Sequence, residues 1–133
     1  MEYQEADLTR NIIAAAITVH KNLGPGLLET AYSFCLGAEL SYLGLEFKQE
    51  LPIPLIYRNR KLDCGFRIDF LIEGKVILEI KAIDKLLPIH ESQLLTYLRL
   101  ANKQVGLLIN FHEELLKNGI RRSVLRANDL LNV

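Results

Sequence analysis

The segment RIDFLIEGKVILEIKA holds the residues best suited to chemistry: Asp69, Glu79 and Lys81. Glu79 and Lys81 are two apart, and on a strand residues i and i+2 point to one face. If Asp69 joins them, two carboxylates share a partly buried site and repel, and a divalent cation relieves the repulsion. Mg²⁺ suits oxygen ligands and keeps waters for reaction, while a lysine beside a metal-bound water can orient it or help deprotonate it. That arrangement suits phosphodiester hydrolysis, where the metal neutralises developing charge. A Glu–Lys pair at this spacing is also an ordinary solvated ion pair on an exposed strand, and Asp69 could be a surface acid. The surroundings speak for chemistry: VILEIKA is otherwise apolar, and buried charges are costly unless paired or bound to metal.

Parity decides whether the acids meet, because directly opposed residues of a hairpin share a face. A regular two-residue turn at Glu73–Gly74 would oppose Ile72 to Lys75 and send Asp69 to the wrong face. A three-residue or bulged connection restores parity. A loop over Ile72–Gly74 sets Asp69 opposite Ile77, and a loop over Glu73–Lys75 sets it opposite Glu79. Gly74 suits the left-handed position of a bulged loop, which favours the first.

Other groups could border such a site. Glu29 opens the second helix, where a carboxylate either complements the helix dipole or acts as a third acid facing the metal. Gln93 and Tyr97 lie four apart on one helix face, as a core tyrosine with a half-buried glutamine would also do. Arg67 shares the face of Asp69 and could pair with an acid or a phosphate. His20 could approach Glu29, but it, His90 and His112 are scattered, and all three are left out of the site. The clusters Arg58, Arg60, Lys61 and Arg121, Arg122, Arg126 are solvated surface or, if nucleic acid binds, phosphate contacts.

Positioning these groups takes a mixed α/β architecture. Leu8, Ile12, Ala15, Val19 and Leu23 recur at helical spacing over about Ala6 to Asn22, with Asp7 as a possible N-cap, and Gly24–Pro25–Gly26 stops that helix. A second helix runs from about Leu27 to Leu43, with Leu28, Tyr32, Cys35, Leu36, Glu39 and Leu40 near one stripe. Strands follow near Glu46–Leu51, Ile53–Tyr57, Gly65–Ile72 and Lys75–Lys81, read as an antiparallel meander with a turn at Arg58–Lys61. Pro52 and Pro54 suggest an edge or irregular strand. The segment PIHESQLLTYLRLANK is a third helix with Ile89, Leu94, Tyr97, Leu98 and Ala101 inward. QVGLLINF reads as a buried strand, and GIRRSVL as a short edge strand.

The chain of 133 residues, 50% hydrophobic and 24% charged, fits one globular domain over residues 1–133. Its longest apolar stretch is too short to span a bilayer, and the acidic N-terminus lacks the basic region of a signal peptide. A cytoplasmic location and no membrane partner are expected. The formal net charge of zero argues against a dedicated high-affinity DNA binder, though a carboxylate-rich site offsets basic residues elsewhere. Cys35 and Cys64 match no zinc spacing and read as free thiols. A small domain with an apolar surface strand often pairs through it, so a homodimer is expected.

Three motifs together carry a family resemblance. GLLETAY reads Gly26-x-x-Glu29-x-x-Tyr32, and with RIDFLIEGKVILEIKA and QLLTYL it resembles, over nearly the whole chain, the GxxExxY family of the PD-(D/E)XK nuclease-like superfamily. The resemblance implies a restriction-endonuclease-like core preceded by two helices. It implies that Asp69 and Glu79 bind Mg²⁺ or Mn²⁺, that Glu29 completes the site, that Lys81 assists the attacking water, and that Gln93 and Tyr97 border it. The expected function is a Mg²⁺-dependent nuclease acting on DNA or RNA. The alternative is a nuclease-like fold used for binding or self-assembly without turnover.

Overall fold

A computed structural model describes residues 4–63 and 65–126, so Cys64 lies outside the described residues. Two helices come first, α1 (Ala6–Leu23) and α2 (Glu29–Tyr42). Strands β1 (Phe47–Pro52), β2 (Leu55–Tyr57), β3 (Arg60–Leu62), β4 (Arg67–Ile72) and β5 (Val76–Lys81) follow. Helix α3 (Pro88–Ala101), strand β6 (Val105–Asn110), a 3-10 turn and strand β7 (Ile120–Val124) complete the described chain. Five strands form one sheet in the order β1-β4-β5-β6-β7, and β2 with β3 forms a separate ribbon. Within the sheet β5 and β6 are parallel, and the other neighbours are antiparallel.

The central strands are apolar along their whole length because both faces are covered. Val76, Leu78 and Ile80 of β5, with Val105, Leu107 and Ile109 of β6, pack under Ile12 of α1 and Tyr32, Leu36 and Leu40 of α2. The intervening residues Ile77 and Leu108 face Leu94, Tyr97 and Leu98 of α3. Helix α3 is the crossover that a parallel β5–β6 pair requires. It sits close to the sheet at Gly106, where a Cβ would come within 2.8 Å of Leu94 Cδ1. This is the α+β mixed sheet expected from the sequence.

Several local expectations change. The strands between α2 and α3 are not a simple meander, since β1 pairs directly with β4 and the β2–β3 ribbon stands outside the ladder. The ribbon turns through Arg58 and Asn59 alone, so Arg60 and Lys61 belong to a strand. Asp7 is not the cap of α1: the helix begins at Ala6, and Asp7 sits in its first turn, ion-paired to Arg10 at 2.8 Å. Leu28 and Ile89, expected inward, are 78% and 66% exposed. Leu28 precedes the first helical turn and Ile89 lies within one, where the helical stripe has not yet met the sheet. Cys35 is a free thiol.

Candidate active site

The β4–β5 hairpin sets the two acids. Glu73 and Gly74 both take left-handed backbone conformations (φ 54° and 66°), and the Lys75 N–H closes the turn on Ile72 O at 3.0 Å. The ladder nevertheless runs through Ile72↔Val76, Leu71↔Ile77 and Phe70↔Leu78, leaving Lys75 as a bulge. Parity is thus restored as the bulged alternative requires, but through Glu73–Lys75 and not the favoured Ile72–Gly74. Continued by one step, this register opposes Asp69 to Glu79. Backbone pairing stops there, and the Asp69 carboxylate takes over: its Oδ2 accepts the Ile80 N–H at 2.7 Å. The β1–β4 register likewise passes over Asp69, pairing Gln49↔Phe70 and Leu51↔Ile68 on either side.

Among the described residues, Glu79 is the ionisable group displaced furthest from its ordinary range. It is only 6% exposed, within a strand whose other residues through Ile80 are buried. Burial, then the negative charge of Asp69 and a hydrogen bond with it, push the Glu79 carboxyl up to about 10, against the opposing pull of Lys81. Its Oε1 is buried without a hydrogen-bond partner. A buried polar atom left unpaired is costly and calls for an explanation such as an ion. Two facing acids with one orphaned oxygen fit a divalent cation, which would let both ionise.

Glu29 stands at the solvent edge of this group, as the first residue of α2. Partial desolvation raises its pKa, Asp69 and Glu50 raise it further, and Lys81 lowers it. Lys81 therefore acts on both Glu29 and Glu79. The α1–α2 loop that delivers Glu29 is held by Tyr32. The fully buried ring stacks on Phe111 with centroids 4.5 Å apart. Its hydroxyl donates to Gly24 O at 2.6 Å and accepts the Leu27 N–H at 3.1 Å. The Gly26-x-x-Glu29-x-x-Tyr32 spacing thus ties the loop, the acid and its anchor into one unit.

Two further groups, Glu50 and Asn110, border the site without belonging to any of its motifs. Glu50 bears on Glu29 and adopts a left-handed backbone (φ 51°) at the gap in the β1–β4 register. Asn110 is fully buried, and its Nδ2 and Oδ1 bond Ile83 O (2.9 Å) and Ile83 N (3.1 Å), fixing the chain just beyond Lys81. A polar residue ending the apolar run VGLLI was the available signal for Asn110. The histidines are structural. His20 Nε2 meets Glu113 O at 2.7 Å, His112 Nε2 meets Leu27 O at 3.1 Å, and His90 Nδ1 accepts the Leu87 N–H at 2.9 Å.

Tyr97 is buried, contacts Phe66 (ring centroids 6.1 Å), and has its pKa raised by burial and by the charges of Glu79 and Asp69. The structure therefore gathers Asp69, Glu79, Lys81, Glu29 and Tyr97. Gln93 and Arg67 are exposed, and among the described residues their side chains make no hydrogen bond with the group. Among the described residues, no three His, Cys, Asp or Glu side chains stand close enough to hold a metal ion. The acids form a facing pair with Glu29 at its rim, so the third ligand is not preassembled. A large surface cleft lined by Ser41, Phe47, Leu71, Glu73 and Lys103 shares no residue with this group. It lies at the hairpin-tip end of the sheet, away from the acids.

No curated protein and no solved structure matches the chain. No helix among the described residues is long and apolar enough to cross a membrane. A family model, that of the PD-(D/E)XK nuclease superfamily, matches residues 6–123, from the start of α1 into β7. That span takes in the bulged hairpin with its facing acids, the lysine two residues beyond, and the helix that covers them, and the chain belongs to the PD-(D/E)XK nuclease superfamily.

Proposed function

We propose that the protein is a divalent-metal-dependent nuclease of the GxxExxY type, hydrolysing phosphodiester bonds of DNA or RNA. The observation that carries the reading is the buried Glu79, with Oε1 unpartnered and Asp69 facing it. Asp69 and Glu79 would hold Mg²⁺ or Mn²⁺, with Glu29 approaching from the rim. A cation bound there supplies charge neutralisation and an acidified water. Asp69 is oriented by the Ile80 amide, which fixes one of its carboxylate oxygens. Lys81 orients the attacking water or takes its proton. Tyr97, kept protonated by its surroundings, can donate a hydrogen bond to a phosphoryl oxygen. Gln93 and Arg67 would reach the substrate from the exposed rim.

The second reading, a nuclease fold that binds or assembles without turnover, is favoured by the absence of a ready three-ligand group among the described residues. A metal titration with single- and double-stranded DNA and RNA, comparing wild type with Glu79→Ala, separates the two. Metal-dependent cleavage by wild type, lost in the variant, supports the nuclease. Metal binding without cleavage of any substrate supports the silent module.

A further inference from the structure

The β2–β3 ribbon is absorbed neither by the core nor by the acid site. Every residue from Ile56 to Lys61 is exposed, and Ile56 and Tyr57 are 64% and 63% exposed. Arg58, Arg60 and Lys61 crowd its tip, and the acid nearest in sequence, Asp63, accepts the Gly65 N–H at 3.1 Å. The chain as a whole has no net charge, so this is a local concentration of positive charge. The tip residues Arg58 and Asn59 both have positive φ, 49° and 61°, as a two-residue hairpin turn requires. Glycine would meet that requirement without strain, yet the first position is an arginine.

Cross-strand pairing decides what the ribbon presents. Tyr57 is opposed to Arg60, and Ile56 to Lys61. Opposed residues share a face, so one face offers a phenol ring beside a guanidinium. A ring stacks on an unpaired base whatever its identity, and the neighbouring cation meets the phosphate. The base of the ribbon is anchored beside the acids. The Ile53 N–H bonds Phe66 O at 2.9 Å, and Phe66 packs on Tyr97. Pro52 pairs with Arg67, two residues before Asp69. From Leu62 the chain has five residues to reach Arg67, a span of at most about 18 Å.

We propose that the β2–β3 ribbon binds unpaired nucleotides of a nucleic-acid strand, Tyr57 stacking on a base while Arg60 on the same face and Arg58 at the tip contact phosphates, and leads that strand to the acid site. The assignment of substrate class rests on the nuclease reading; the binding itself does not. The test is fluorescence anisotropy in a chelator, so that no turnover intervenes. The probes are a labelled single strand of about 20 nucleotides, longer than common strand-binding footprints, and its fully paired duplex. Tyr57→Ala is expected to weaken single-strand binding about 5- to 100-fold, with Tyr57→Phe close to wild type. Arg58→Ala/Arg60→Ala is expected to reduce the slope of log affinity against log salt by about 1.4. Unchanged single-strand binding in these variants overturns the proposal, whatever the cleavage assay shows. So does a loss equal on duplex and single strand with Tyr57→Ala neutral, or a change of molar mass in light scattering without a change in binding, which would mark a protein interface. Ribbon-dependent binding by a wild type that never cleaves upholds the ribbon and removes the nuclease.

Discussion

Asp69 is joined to the strand of Glu79 by its side chain: Oδ2 accepts the Ile80 N–H at 2.7 Å where the β4–β5 backbone ladder has ended. One carboxylate thus serves two purposes, closing the sheet and facing Glu79. The two can be separated by substitution. Asp69→Asn keeps an acceptor for Ile80 and removes the charge. Asp69→Ala leaves that amide unpaired, at a cost of about 1–3 kcal/mol. Denaturant unfolding in chelator should show Asp69→Ala clearly less stable than Asp69→Asn. Equal stability would mean that the staple contributes nothing.

Stability without a cation should depend on pH through Glu79. Its folded-state pKa, about 10, lies above the unfolded value, so the folded state holds the extra proton. The stabilisation is complete below the unfolded pKa of roughly 4.3 and is lost progressively as pH rises toward 10. Glu79→Gln removes this slope, and the metal-free variant should gain on wild type as the solution is made alkaline. Parallel unfolding curves for the two proteins at about pH 6 and about pH 9 would contradict the assignment.

Lys81 is assigned to the water and not to the cation. Lys81→Ala should lose turnover by about 10²–10⁴-fold, the usual worth of a positioned proton-transfer group, while retaining most metal affinity. Parallel loss of both, measured by cleavage and by calorimetric metal titration, would place Lys81 in a different role.

Tyr32→Phe keeps the stacking on Phe111 and deletes the hydroxyl that holds Gly24 O and Leu27 N. A stability loss of about 1–3 kcal/mol is expected, with faster hydrogen exchange at the Leu27 amide. Turnover should fall with it, because this loop delivers Glu29. Exchange at Leu27 unchanged from wild type would show that the loop is held by other contacts.

What was legible in the sequence follows from what each segment has to bury. VILEIKA and QVGLLINF announced central strands because both faces are covered, and Glu79 stood out as an acid in an apolar run. The three helices were readable from periodicity, but Leu28, just before α2, and Ile89, in the first turn of α3, show that the stripe does not hold at a helix start. Strand parity demands a bulged hairpin, but Gly74 at a left-handed position favours the neighbouring register. The bulge fell on Lys75, whose backbone preference nothing in its type reveals, while Glu73 took a left-handed conformation beside Gly74. Glu50 was invisible because its proximity depends on β1 pairing with β4 across an intervening ribbon. That non-local pairing is set by packing rather than by local pattern.

Asp69 and Glu79 should form a cation site whose proton is displaced on binding. Calorimetric titration of Mn²⁺ in buffers of different ionisation enthalpy, near neutral pH, reads affinity and proton release together. Saturable binding with release of about one proton per cation is expected, both abolished in Glu79→Gln. Binding that persists unchanged in Glu79→Gln, or no saturable binding by wild type, would contradict this assignment.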